Sequence, residues 1–268
     1  MSLLYHYCSL ESFLAILESK KVWLGDASTM NDSHEGKWAD QLVQGVLNEI
    51  KPSLSDDECR AFAHGYNLNV RRPYLFCLSS KGDILSQWRA YAADATGVAI
   101  GFDANRFPRR PGLPAHGLGD SLTVGLWQVL YDQHLQRQLI RSFFDARAQP
   151  DSRDYASLGM QVAGLGPLLK NSAFSEEEEW RLVYTPLMMT NEANSHTAIG
   201  ASWRARQRVS NARIVTYFEY PFPDPAAGFI KEVWLGPRSM ARVADIELAL
   251  ALNELGKVSI RRSSATYR

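Results

Sequence analysis

Short strands rich in aromatic and apolar residues interleave with amphipathic helices along this chain, at uneven intervals. The stretch 3–8 is strand-like, and apolar residues at helical spacing follow it over 10–17. Repeated strand–helix–strand units need a regular alternation, which this chain lacks. The pattern therefore predicts an α+β fold. Its further strands are expected near 22–24, 74–79, 97–102, 122–131, 180–184, 213–220, 229–235 and 258–260.

The length of 268 residues suits one large domain or two small ones. The stretch 104–120 holds three prolines and three glycines, so it is expected to be a surface excursion rather than a regular element. A helical region at about 132–170 is interpreted as an insertion. We predict a single compact domain over 1–268, with a central, mostly antiparallel, split sheet and helical insertions.

The charges balance, with 29 basic and 29 acidic residues, so the chain has no overall attraction for nucleic acid or anionic membrane. Any such contact must be local; a cluster of arginines at 204, 206, 208 and 213 is either a contact of this kind or a solvated face. No apolar run approaches the length that spans a membrane, so no membrane partner is expected.

Three widely spaced cysteines suit reduced thiols and a cytoplasmic protein better than a disulfide framework. The sequence contains neither a C-x-x-C nor an H-E-x-x-H spacing, and we assign no metal ligands from these motifs.

Aromatic and basic residues make the first candidate site. His6 alternates with Tyr5 and Tyr7 on the first strand, so it points away from both tyrosines; it is either a core histidine or a donor to a ligand. Trp88 and Tyr91 lie three residues apart on a helix face. They either pack in the core or stack on a nucleobase or nicotinamide, with a neighbouring arginine as a phosphate clamp.

An acidic run directly before a strand makes the second candidate site. If the strand begins near Glu177, then Glu177, Glu179 and Arg181 share one face. Two carboxylates beside a cation suit acid–base work or stabilisation of a cationic transition state, whereas the alternative is a solvated helix start. A further polar cluster with Asp32 and His34 is interpreted either as a helix start or as a site for metal-assisted hydrolysis.

The ordered motifs closely resemble a large bacterial family of unknown function with defence-associated members. They run in sequence order over almost the whole chain, at 5–17, 23–24, 30–35, 76–79, 85–91, 97–103, 179–182 and 235–238. The opening strand with its histidine, the short helix and the second strand also look like the first motif of the ADP-ribosyltransferase superfamily.

The second resemblance implies an ADP-ribosyltransferase-like fold with NAD as substrate. It implies that His6 holds the NAD ribose and that Glu179 stabilises the ribosyl oxocarbenium ion, with Glu177 completing a Glu-x-Glu pair. Ser79 or Tyr91 matches the second motif. In this scheme Arg89 and Arg181 bind the pyrophosphate. Trp88 completes the expected set of NAD-binding residues.

The hypothesis from the sequence is therefore a cytoplasmic ADP-ribosyltransferase that modifies a nucleic acid or a protein, as a toxin or an anti-phage effector. Two alternatives stay open. One is a non-catalytic sensor or partner-binding module, in which the aromatic motifs build only core and interface. The other is a hydrolase or nuclease that uses Asp32, His34 and Glu35.

Overall fold

The computed structural model describes residues 3–29, 35–68, 73–114, 123–145, 154–190, 196–199, 203, 205–210, 212–223 and 228–267. Its helices are α1 (Leu10–Ser19), α2 (Glu35–Ile50), α3 (Asp56–Leu68), α4 (Leu85–Tyr91), α5 (Gln133–Asp145), α6 (Tyr155–Ala163) and α7 (Val243–Leu252). Its strands are β1 (Leu3–Cys8), β2 (Lys21–Asp26), β3 (Tyr74–Ser79), β4 (Val98–Asp103), β5 (Val124–Gln128), β6 (Glu179–Tyr184), β7 (Leu187–Thr190), β8 (His196–Ile199), β9 (Ala205–Ser210), β10 (Arg213–Pro221), β11 (Ile230–Leu235) and β12 (Ser259–Arg262).

Ten of these strands form one open sheet, and β7 pairs with β8 separately. The main path runs β12-β11-β4-β1-β3-β2-β10-β9, and β6 and β5 continue from the second edge of β3. The described pairs are antiparallel except β11 with β12, which is parallel. The predicted α+β fold with a mostly antiparallel sheet is confirmed.

The sheet splits at β3, because β1 and β2 share one of its edges. β1 pairs with β3 at Ser79, whereas β2 pairs with it at Tyr74 and Leu75, the other end of the strand. β6 runs along the whole opposite edge, from Tyr184 at one end to Glu179 at the other. The split places the first turn after β3 beside the start of β6, where the acidic run lies.

The pairing register divides the side chains between two faces. Tyr5 pairs with Ser79 and Ser79 pairs with Glu179, so these three side chains share a face, which we call the front face. His6 and Phe76 alternate with them and lie on the back face. The two faces have different coverings.

The back face carries the main hydrophobic core, which α1 and α7 cover. α1 begins where the Ser9 hydroxyl accepts a hydrogen bond from the Ser12 amide, and it buries Phe13 and Leu17 completely. The opening segment of the chain therefore forms the strand and helix that its apolar spacing predicts.

The front face carries a helical layer and α4. Helices α2, α3, α5 and α6 build a second core around Phe62, Ile140 and Leu158, and Leu168 joins that layer to the sheet at Leu75. α5 and α6 fall inside the region predicted as a helical insertion. Residues 104–106 form a 3-10 turn and the described residues 107–114 contain no helix or strand, whereas 115–120 lie outside the described residues.

None of the helices in the described part of the chain is both long enough and apolar enough to cross a membrane. All three cysteines are free thiols.

Candidate active site

A buried lysine joins the two predicted carboxylates on the front face. The Lys170 ammonium donates to Glu177 Oε2 at 2.5 Å and to Glu179 Oε2 at 3.0 Å. Lys170 is 3% exposed and Glu179 is 5% exposed, so water screens this contact very little. The two carboxylates therefore share one positive charge, and we call these three residues with Arg181 the ionic cluster.

Arg181 holds Glu179 from the next position on the same face of β6. Its Nε donates to Glu179 Oε1 and its Nη2 donates to Glu179 Oε2, both at 2.8 Å, and Nη1 donates to the Pro167 carbonyl at 2.8 Å. A two-residue spacing on a strand puts both side chains on one face, which makes this bidentate pair a consequence of the sequence.

The pKa of Glu179 is the balance of opposed effects. Burial raises the pKa of this carboxyl, whereas Arg181, followed by Lys170, outweighs burial and lowers the pKa to about 2. The Cys77 thiol also donates to the carboxylate and acts in the same direction. Glu179 is therefore ionised at neutral pH.

Glu177 reaches the ionic cluster by a route that the sequence pattern does not predict. β6 begins at Glu179, and Glu178 before it has a left-handed backbone with φ of 43°. Glu177 consequently lies at the end of a 3-10 turn and not on the strand, so the expectation of a shared strand face is wrong. The turn nevertheless directs its carboxylate to Lys170, and Glu177 is the more exposed of the two glutamates.

Two tyrosines border the ionic cluster. The Tyr131 hydroxyl accepts a hydrogen bond from the Glu179 amide at 3.0 Å, and burial raises the pKa of Tyr131 to about 12. The Tyr91 hydroxyl lies 3.5 Å from Glu177 Oε1, a long contact, and its pKa is raised first by burial and then by the charge of Glu177. Tyr91, which is 39% exposed, therefore forms the solvent side of the cluster.

The loop after β3 closes over the same region. The buried Ser79 pairs with Glu179 in the sheet, and its hydroxyl accepts a hydrogen bond from the Lys81 amide at 3.1 Å. Ser80 donates through its amide to the Glu178 carbonyl at 3.1 Å, and Lys81 forms an ion pair with the Glu178 carboxylate. The predicted second-motif residue Ser79 thus lies next to the acidic run.

Residues 87–182 match the family model described as "Protein of unknown function (DUF2971)". The predicted resemblance to a large family of unknown function is confirmed. No curated protein and no solved structure significantly matches the chain.

The DUF2971 match spans the whole ionic cluster and all but the first two residues of α4, whereas β1 and β3 lie outside it. The segment that the DUF2971 model recognises is therefore the one that carries Tyr91, Lys170, Glu177, Glu179 and Arg181.

His6 lies apart from the cluster, on the back face. Its ring packs on Phe76 with a centroid distance of 4.3 Å, and its Nδ1 donates to the Cys77 carbonyl oxygen at 2.9 Å. Burial lowers the pKa of His6 to about 4, although the hydrogen bond to Cys77 opposes this shift, so His6 is neutral at pH 7. His6 is half-buried against Phe76, and it does not share a face with Glu179.

Trp88 does not present the ring face that its expected NAD-binding role needs. Trp88 is fully buried: its edge packs on Tyr7 at 4.8 Å and its Nε1 donates to Asp83 at 2.7 Å, which leaves no ring face for a ligand. Arg89 is exposed, and its guanidinium lies 5.6 Å from the centroid of the Tyr267 ring. Arg181, the second arginine proposed for the pyrophosphate, is committed to Glu179 and Pro167.

The structure describes only one of the three residues expected in the alternative hydrolase site. Asp32 and His34 lie outside the described residues, and Glu35 is the first residue of α2. Within the described ranges, no group of three or more His, Cys, Asp or Glu side chains is arranged to hold a metal ion.

Lys170 and Tyr131 are the site residues that the sequence analysis missed. Lys170 is the one charged residue between 155 and 175, and it ends an apolar run. A lone charge in such a run is a signal of a buried partner, because unpaired burial of a charge is costly. The chain holds Lys170 in place by hydrogen bonds from its amide to the Leu130 carbonyl and from Gln136 to its own carbonyl.

Proposed function

We propose that the chain is an ADP-ribosyltransferase-like enzyme that uses NAD as substrate, with the ionic cluster as its catalytic centre. The observation that carries the proposal is the convergence of two carboxylates on Lys170, one of them buried and the other at the solvent side next to Tyr91. Strongly perturbed, buried ionisable groups of this kind concentrate at functional sites.

The proposed reaction breaks the bond between C1′ of the NAD ribose and the nicotinamide nitrogen. The bonding electron pair leaves with nicotinamide, which becomes neutral, and positive charge develops on the ribose. A nucleophile on the acceptor then bonds to C1′ and loses its proton to a carboxylate. A fixed negative group near the ribose stabilises the transition state more than the ground state.

The geometry supports different roles for the two glutamates. Glu177 is the more exposed and adjoins the Tyr91 hydroxyl, so we assign to it the contact with the ribose and the proton transfer. Glu179 accepts hydrogen bonds from Arg181 and Lys170, and we assign to it the positioning of the lysine. Ser79 remains a second-motif candidate beside Glu179, and His6 has no role in this scheme.

The acceptor is a nucleic acid or a protein in this proposal, and the enzyme acts as a toxin or anti-phage effector in the cytoplasm. The free state of all three cysteines fits a reducing compartment. The cluster needs no disulfide, since its geometry comes from the sheet register and from the turn at Glu178.

Calorimetry with NAD, followed by mass spectrometry of a treated lysate for ADP-ribose adducts, tests the proposal. We expect NAD binding by the wild type and by Glu177→Gln, and adducts with the wild type alone. Glu176→Gln is the matched control, because Glu176 precedes Glu177 and is exposed; it should give adducts at the wild-type level. Absence of NAD binding by the wild type would contradict the proposal and favour a partner-binding module.

A further inference from the structure

The hairpin of β9 and β10 concentrates positive charge in a chain whose net charge is zero. It lies at the edge of the sheet opposite to β12. Residues 203–218 contain four arginines and no acidic residue, whereas the whole chain balances 29 basic against 29 acidic residues. β9 is the last strand on the path of the sheet. Five of its six residues are exposed.

The cations lie next to an exposed aromatic residue. Trp23 on β2 is 37% exposed, although its strand neighbours Val22 and Leu24 are fully buried. The Arg208 guanidinium lies 5.4 Å from the centre of the Trp23 ring, and Tyr217 packs against the same indole with a centroid distance of 4.7 Å. We call Trp23, Arg206, Arg208 and Arg213 the basic hairpin surface; Arg204 lies outside the described residues.

The charge of this surface is only partly compensated. Glu219 pairs with Lys21 at 2.9 Å and with Arg206 at 3.0 Å. Arg208 and Arg213 form no ion pair with any carboxylate in the described part of the chain. Arg208 pairs with Val215 and Arg213 pairs with Ser210, so the two exposed guanidinium groups lie on one face of adjacent strands in a diagonal arrangement. Each can contact a phosphate.

We infer that the basic hairpin surface binds single-stranded nucleic acid. The arginines neutralise backbone phosphates, and the indole with its stacked guanidinium offers a surface on which an unpaired base stacks. A duplex presents its phosphates but keeps its bases stacked inside, so it would use only the arginines. The charge favours a polyanion, and the exposed Trp23 favours a single strand over a duplex.

The register adds a link to the ionic cluster. Trp23 and Gly25 are two residues apart on β2, so they lie on the same face of the sheet. Gly25 pairs with Leu75, which lies on the front face with Ser79 and Glu179. The basic hairpin surface therefore continues the front face. Binding does not depend on the proposed function; where both hold, the bound strand is the acceptor.

Fluorescence anisotropy with labelled oligothymidine and oligouridine of about 20 nucleotides tests the inference on the full chain without NAD. We expect wild-type binding that weakens linearly in log salt. Arg208→Gln with Arg213→Gln should weaken binding about tenfold and reduce the salt slope by about 1.4, since each lost phosphate contact contributes about 0.7 for a single strand.

Trp23→Leu separates stacking from charge. It should weaken binding about tenfold and leave the salt slope unchanged, because a stacked base releases no counterion. Arg60→Gln with Arg141→Gln is the control, since both arginines are exposed on the helical layer. Circular dichroism checks that each variant is folded.

Three results would overturn the inference: no binding at low salt, an equal loss in the Arg60 and Arg141 control, or duplex binding as tight as single-strand binding with no effect of Trp23→Leu. Glu177→Gln should bind the oligonucleotides like the wild type. Failure of NAD turnover with intact oligonucleotide binding would therefore contradict the proposed function and leave this inference standing.

Discussion

Lys170 is the residue on which the ionic cluster depends. It contacts both carboxylates, and it lies in a region where charges lose most of their hydration. Removing water from a charged group costs several kcal/mol, which the partners repay only when all of them are present. The cluster is therefore sensitive to the loss of any one member.

Lys170→Met should destabilise the fold, because it removes one of the two cations that contact the buried Glu179 in the described part of the chain and the ammonium that pairs with Glu177. We expect a loss of about 3–5 kcal/mol in the free energy of unfolding, measured by urea denaturation. Lys81→Met is the matched control: it removes a lysine from an exposed pair with Glu178, so its effect should stay below about 1 kcal/mol. Equal stability of the two variants would show that the Lys170 ammonium does not stabilise the fold.

Acid should weaken the fold through Glu179. The pKa of this carboxyl is lowered from 4.5 to about 2 in the folded protein, so the unfolded chain takes up the proton first as the pH falls. The stability that Glu179 contributes is full above about pH 4.5 and is lost as the pH falls toward about 2.

Urea denaturation between pH 2 and pH 6 of the wild type and of Glu179→Gln measures this effect. The stability difference between the two should shrink over the lower part of that range, because glutamine does not titrate. A difference that is independent of pH would mean that the pKa of Glu179 is not lowered.

At the scale of the elements, the sequence predicted most strands and the direction of single side chains, but not the pairing. Alternation correctly placed His6 opposite Tyr5 and Tyr7, because strand geometry fixes that relation locally. It did not predict that β3 has three partners, since pairing joins residues far apart in the chain. The turn at Glu178 was missed for another reason: glutamate seldom adopts a left-handed backbone.

The contact between α3 and α6 depends on glycine at two facing positions. A Cβ at Gly159 would lie 2.3 Å from the Phe62 carbonyl oxygen, and one at Gly65 would lie 1.8 Å from the Ala156 carbonyl oxygen. These neighbours are backbone atoms of helices, so they cannot move aside without separating the two elements.

Gly159→Ala should lower the free energy of unfolding by about 1–3 kcal/mol, measured by urea denaturation, because the helices must shift to admit the methyl group. Gly45→Ala in α2 is the control, since its added Cβ would meet only the flexible end of Arg137. That change should be neutral or stabilise the helix by up to about 1 kcal/mol. A loss as large in Gly45→Ala would mean that the α3–α6 contact is not the cause.

At the scale of the whole molecule, residues near the C-terminus pack around α4. Asp83 precedes the helix and accepts hydrogen bonds from Trp88 within it and from the Ser264 amide near the C-terminus, at 2.7 and 3.3 Å. Tyr267 donates to Asp94 at 2.6 Å just beyond α4. These contacts hold the helix that carries Tyr91 against the front face.

The sequence predicts the glutamates of the candidate site but not Lys170, which joins them. Glu177, Glu179 and Arg181 stand out as a dense charged motif, which the structure brings together. Lys170 lies in the segment between α6 and β6, and only the fold brings it to them. The sequence allows Trp88 to be a ligand contact because an aromatic ring beside an arginine can stack on a base. Its burial follows from packing against β1, which a single helix pattern does not reveal.

The most direct test of the account is the rate of nicotinamide release from NAD by the purified chain. We expect release by the wild type and by Glu176→Gln. In Glu177→Gln the rate should be at least about a hundredfold lower with NAD affinity retained, as expected for loss of a proton-transfer group. Unchanged release in Glu177→Gln, or none in the wild type, would contradict the assignment of the ionic cluster as an NAD-cleaving centre.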